Sequence, residues 1–171
     1  MKTSLFGLSE SLSPLLLRAF LSVVIMAHGA QKLFGWFGGY GFEGTMGYFT
    51  DTVGLPWALG LFIILLEFFG ALMLLLGVTT RFLSALFVGL AAGIVFSTHL
   101  PNGFFMNWFG NQAGEGYEFF LLWVGMAISL ITTGGGRWSV DYYLQKSKVG
   151  MVLVNGSVVV LTALGFCQFP I

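Results

Sequence analysis

Apolar residues run in long blocks along this chain, and polar residues gather between them in short glycine-rich or charged stretches. Crossing the hydrocarbon layer takes about 20 apolar residues at roughly 1.5 Å each. On that measure the pattern predicts four spans, over residues 14–34, 56–77, 82–97 and 117–133, with a further candidate over 149–169. Pro14 suits a first helical turn, and Ser13 is placed to cap it. The apolar run after Pro14 passes Ile25 and Met26 towards Phe37 without a small-x-small cleavage site, so it reads as a retained helix rather than a signal peptide. The fifth candidate is apolar but β-branched and interrupted by Asn155-Gly156-Ser157, and its length favours spanning over lying on the surface. The pattern predicts an all-α fold: an integral membrane four-helix bundle over 1–141, and an extension over 142–171 carrying an extra C-terminal hydrophobic helix.

The segments between the blocks set orientation. GWFGGYGFEGTMGYFTDTVGLP and NGFFMNWFGNQAGEG are rich in glycine and aromatic rings, which suit the headgroup layer. VTTR and GGGRWSVDYYLQKSK carry the basic charge. Lys2, Arg81, Arg137, Lys146 and Lys148 all fall on one side, with Lys32 opposite, so the positive-inside rule places the N-terminus in the cytoplasm. The expected location is a bacterial inner membrane, crossed several times, with the two aromatic loops outward.

Composition decides the class. Hydrophobic residues make up 57% and charged residues 8% of the 171 positions, where a soluble domain carries roughly 25% charged. A soluble fold of this size leaves too much surface in water to hide that apolar content. The bilayer is the expected partner. Zero net charge removes the case for a nucleic-acid surface. The single cysteine, Cys167, excludes a C-x-x-C redox motif and a cysteine cluster for zinc or iron–sulfur, so no metal site is expected.

Ionisable residues inside the spans carry the functional reading. An ionised side chain at a helix centre costs about 2.5–3.5 kcal/mol on insertion scales, so it normally faces inward and is paired. Glu67 lies near the middle of LFIILLEFFGALMLLL, with Gly60, Ile64, Gly70 and Ala71 on its packed face. Arg18 and Lys32 are two heptads apart on one face of the first span, a stripe they share with Ser22 and Gly29 and that His28 flanks. Arg18 either points inward or reaches back to the surface. Lys32, Glu115 and Glu118 either enter a pocket or mark the outer boundary. Glu67 is expected to pair with at least one of Arg18, His28 and Lys32. Gly89 and Gly93, spaced G-x-x-x-G, together with Gly29, Gly70 and Gly125, are read as helix-packing positions. In the fourth span Glu118, Gly125, Ser129 and Thr132 share one side. The candidate polar pocket is Arg18, His28, Lys32, Glu67, His99 and Glu118. His28 and His99 at similar depth raise bis-histidine haem, but neutral hydrogen-bonding histidines are the preferred reading.

These residues resemble a known family. LLRAFLSVVIMAHGAQKLFGWFGG is similar to the opening signature of the DoxX family of small bacterial membrane proteins. LLLGVTTR, THLPNGFF, GEGYEFFLL and GGGRWSVD then follow in order over about residues 14–141. The resemblance implies Arg18, His28, Gly29, Lys32, Glu67, Arg81, His99, Glu118 and Asp141 as motif positions. The tail from Tyr142 departs from a four-span member. The resemblance also implies a membrane subunit of an oxidoreductase, like that of a thiosulfate:quinone oxidoreductase or of a redox-stress complex.

Three functions compete. The leading one is an oxidoreductase subunit that touches quinone: an apolar slot takes the tail, and His28, Lys32, Glu67 and Glu118 supply donors and acceptors. The chain shows no electron carrier of its own, so a protein partner would bring the electrons. A proton or small-solute transporter would use Glu67 at mid-membrane, but no inverted repeat is visible. A scaffold, binding a partner or a second copy, would dock through Trp36, Tyr40, Trp108 and Phe109.

Overall fold

The computed structural model describes residues 12–146, and among them every regular element is helical. The fifth candidate span, Lys2, Lys148 and Cys167 lie outside the described residues. Helix α1 is Ser13–Phe34. A short helix α2, Gly41–Gly47, continues into a π-helical turn, Tyr48–Thr52, within the first aromatic loop. Helix α3 is Trp57–Leu76 and α4 is Thr80–Asn102. Helix α5 is Glu118–Thr133, and a short helix α6, Val140–Lys146, follows in the basic segment. Helices α1, α3 and α4 are long and apolar enough to cross a membrane, while α5 is apolar but shorter, at 16 residues. The chain is an all-α membrane protein.

The ends of these helices follow local chemistry. Pro14 sits in the first turn of α1, where its missing N–H costs nothing. The backbone of Leu12 is already helical, so Leu12 takes the capping position and Ser13 becomes the first helical residue; no side chain caps this end. At the other end Gly35 adopts φ 73°, a left-handed stop that returns its N–H to the Ala30 and Gln31 carbonyls.

Packing runs α3 on α1, α1 on α5, and α5 on α4, with the α1–α3 and α4–α5 contacts the most extensive. The ring does not close: α3 and α4 touch beside the turn that joins them and diverge beyond it. The core is mostly apolar, built from Leu21 and Ile25 of α1, Leu74 of α3, Phe87 and Ala91 of α4, and Phe120, Trp123, Ala127 and Leu130 of α5. Trp123 stacks on Phe120 and meets Phe87 edge-on.

This arrangement corrects three sequence expectations. The buried face of α5 is aromatic and aliphatic; Gly125 and Thr132 are exposed, so the predicted polar stripe turns away from the core. Gly125 packs no helix, because an added Cβ would meet nothing within 4 Å. The same is true of Gly89 and Gly93, which are exposed on the side where α4 leaves α3. Gly29 and Gly70 are buried, as the packing reading requires, and so are Gly60, Ile64 and Ala71.

A latch of polar contacts closes one end of the bundle. Arg18 is fully buried rather than reaching for the surface. Its guanidinium donates to the carbonyls of Leu75 at 2.7 Å and Trp138 at 2.8 Å. The Leu74 and Leu75 carbonyls lie in the last turn of α3, where Leu74 also accepts from the Gly77 N–H, and a cation placed there satisfies Leu75 and complements the helix dipole. Gly77 takes φ 73° in the tight turn, and an added Cβ would lie 2.6 Å from Arg18 Nη1 and 2.4 Å from Ser139 Cβ. Asp141 then accepts from the amides of Thr79 at 2.7 Å and Thr80 at 2.8 Å, capping α4 from a distant segment. Losing such a cap costs about 1–2 kcal/mol. Asp141→Ala should therefore lower the unfolding midpoint in detergent, and Asp141→Asn, which keeps one acceptor, should lower it less. An unchanged midpoint in Asp141→Ala would show that the latch carries no stability.

Candidate functional site

Glu67 lies in the middle of α3, inside a π-helical turn, Leu66–Gly70. Such turns break the regular helical register and recur at functional sites. Its side chain is only 2% exposed. Of its three expected partners the structure gives Lys32, whose Nζ donates to Glu67 Oε2 as a salt bridge. Lys32 is 26% exposed. The pair is therefore sealed on the carboxylate side and reachable on the ammonium side. Oε1 of Glu67 accepts no hydrogen bond among the described residues.

Close approach of α1 and α3 brings the two together. Gly29, one turn before Lys32, lies against the backbone of the π-helical turn: an added Cβ would fall 2.5 Å from Phe68 N and 2.6 Å from Glu67 C. Only a residue without a side chain fits there. Phe34, further along α1, meets Phe68 edge-on with ring centroids 5.0 Å apart.

The pair faces a cavity of about 610 Å³ between α3 and α4. Its walls are largely apolar: Leu59, Phe62 and Leu66 of α3 face Leu86 and Leu90 of α4. The π-helical turn after α2 folds over it with Tyr48 and Phe49. Sequence reasoning passes over Tyr48, Phe49 and Val53, treating their segment as a loop. Phe49 and Val53 follow the buried Met46 at steps of three and four residues, a helical period that marks one face turned towards the bundle. Gly89 and Gly93, expected to pack helices, line this cavity instead.

The other candidate residues sit elsewhere. Arg18 belongs to the latch. His28 is exposed and its Nδ1 pairs with Gln31 Oε1 at 3.2 Å, so it faces away from Glu67. His99 bonds Thr98 Oγ1 at 2.7 Å and lays its ring edge-on to Phe120. Glu118 accepts from the Met106 amide at 3.0 Å and the Trp108 indole at 3.1 Å, pinning the second aromatic loop. Among the described residues no three His, Cys, Asp or Glu side chains converge. The six predicted positions thus resolve into one buried pair, Lys32–Glu67, and contacts that brace the ends of the bundle.

A small multi-pass membrane bundle with a buried acid–base pair at an apolar groove is the class these features define. The DoxX family model matches residues 13–100, just over half of the chain, and the chain belongs to the DoxX family. It is also similar to a protein of Bacillus subtilis (strain 168) named "Putative oxidoreductase CatD", with 28% identity over 140 residues, covering 82% of this chain and 92% of the relative. No solved structure matches.

Proposed function

We propose that this chain is the membrane subunit of an oxidoreductase complex and that the groove between α3 and α4 receives a quinone at Lys32–Glu67. The observation that carries the reading is a buried ion pair, with one carboxylate oxygen unengaged, at the inner wall of an apolar groove between membrane-spanning helices. Family membership and the name of the B. subtilis relative support a redox role.

A quinone takes up two electrons and two protons to become a quinol. Lys32 has N–H donors beyond the one given to Glu67, and these suit a carbonyl oxygen. Oε1 of Glu67 suits the hydroxyl of the reduced form. Apolar walls suit an isoprenoid tail, and the low dielectric around the pair strengthens each polar contact. Electrons would come from a catalytic partner protein.

Purification of the native complex from its own membrane, followed by solvent extraction, tests this directly. The expected result is co-purification of a redox enzyme and near-stoichiometric quinone. Recovery of a quinone-free protein with no redox partner would defeat the proposal.

A further inference from the structure

We infer that the ligand reaches Lys32–Glu67 sideways from the bilayer, through the gap between α3 and α4, with Gly89 and Gly93 as its threshold. The inference rests on the quinone reading and adds a route and the residues that define it.

Four small residues, Ala85, Gly89, Gly93 and Ser97, recur every four positions along one face of α4, and all four are exposed and line the cavity. A stripe of this kind normally lets two helices touch. Among the described residues no helix lies against it, because α3 meets α4 mainly towards their connecting turn. An added Cβ at Gly89 or Gly93 would meet nothing within 4 Å. Across the gap stand Leu59 and Phe62, both exposed. Within a membrane-spanning segment an exposed face meets lipid, so the gap is a slot between the hydrocarbon and the buried pair.

The chemistry of the slot selects its occupant. Its walls are largely apolar, and Glu67 lines it, 2% exposed, with Oε1 accepting no hydrogen bond from the described residues. A carboxylate oxygen lining the cavity that accepts no hydrogen bond from the described residues is matched by a hydrogen-bond donor on the occupant. A plain acyl chain supplies none. An oxygen-bearing ring on a long apolar tail supplies both parts, the ring at the pair and the tail left in lipid.

The test uses the full chain in lipid nanodiscs and a long-tailed isoprenoid quinone carrying a photoreactive azide on its ring. Wild type should be labelled near Glu67. Gly89→Leu and Gly93→Leu place a branched side chain across the threshold and should each cut labelling roughly tenfold or more. Both glycines are exposed in a helix, so leucine should not weaken folding. Gly125→Leu, equally exposed but away from the cavity, should label as wild type does. Equal labelling of Gly93→Leu and wild type would overturn the lateral route and leave the quinone reading standing. An unlabelled wild type would defeat both. Disulfide-linked dimers formed by Gly93→Cys in native membranes would give the groove to a second copy and overturn the inference.

Discussion

Replacing Lys32 by methionine should destabilise the protein by about 3–5 kcal/mol, whereas Lys32→Met combined with Glu67→Leu should unfold close to the wild-type midpoint. The asymmetry follows from where the two charges sit. Glu67 is 2% exposed in the middle of a membrane helix, and its only polar partner among the described residues is Lys32. Removing the ammonium leaves a carboxylate that must take up a proton or carry an uncompensated charge in a low-dielectric interior. Removing both members replaces a costly pair with apolar packing, which buried pairs tolerate well. Glu67→Gln keeps the side-chain shape, and Lys32, 26% exposed, can still reach polar surroundings. That variant should insert and fold nearly normally while losing quinone binding and activity in the native complex. Thermal unfolding of the single and double variants forms a double-mutant cycle. If the effects of Lys32→Met and Glu67→Leu simply add in the double variant, the two residues are uncoupled and the site reading collapses. Full activity of Glu67→Gln would sink the functional half on its own.

How far the sequence carries this picture depends on the range of each contact. Glu67 stands out because a carboxylate far from both ends of an apolar helix has few neutral explanations. Its partner does not stand out. Arg18, His28 and Lys32 all lie in the neighbouring helix; depth along α1 decides between Arg18 and Lys32, which share a face, and rotation about α1 turns His28 away. The two-heptad spacing correctly puts Arg18 and Lys32 on one inward face, yet it cannot show that Arg18 spends its donors on the carbonyls of Leu75 and Trp138. Gly89 and Gly93 mislead for a related reason. Their spacing says that a helix can approach, and only the divergence of α3 and α4 says that none of the described helices does. The loop contacts of Asp141 and Glu118 are side-chain to backbone bonds made by distant segments or across a folded loop, which leave no periodic trace. The π-helical turns at 48–52, 66–70 and 95–99 each shift the register by one residue, too little to disturb an apolar block read at this coarseness.

Gly29→Ala should be among the damaging single-methyl changes in the described residues, and the one that bears directly on the ion pair. The new Cβ would lie 2.5 Å from Phe68 N, 2.6 Å from Glu67 C and 2.8 Å from Glu67 O, all backbone atoms with no rotamer to escape through. Relief requires α1 and α3 to separate or slide. Overpacking of this kind costs about 1–3 kcal/mol, and contact with backbone puts this case near the upper end. Alanine is also the better helix former by about 1 kcal/mol, so the net loss should be roughly 2 kcal/mol. The functional loss should be larger than that figure implies. Lys32 is three residues from Gly29 on the same face of α1, so any displacement that relieves the clash also moves Nζ relative to the carboxylate. Gly29→Ala should therefore lower the unfolding midpoint and weaken labelling by the long-tailed quinone probe in the same variant. Gly125→Ala, where an added Cβ meets nothing within 4 Å, should leave labelling unchanged and stability unchanged or slightly raised. A Gly29→Ala protein as stable and as well labelled as wild type would show that close approach of α1 to the π-helical turn does not set the geometry of the pair.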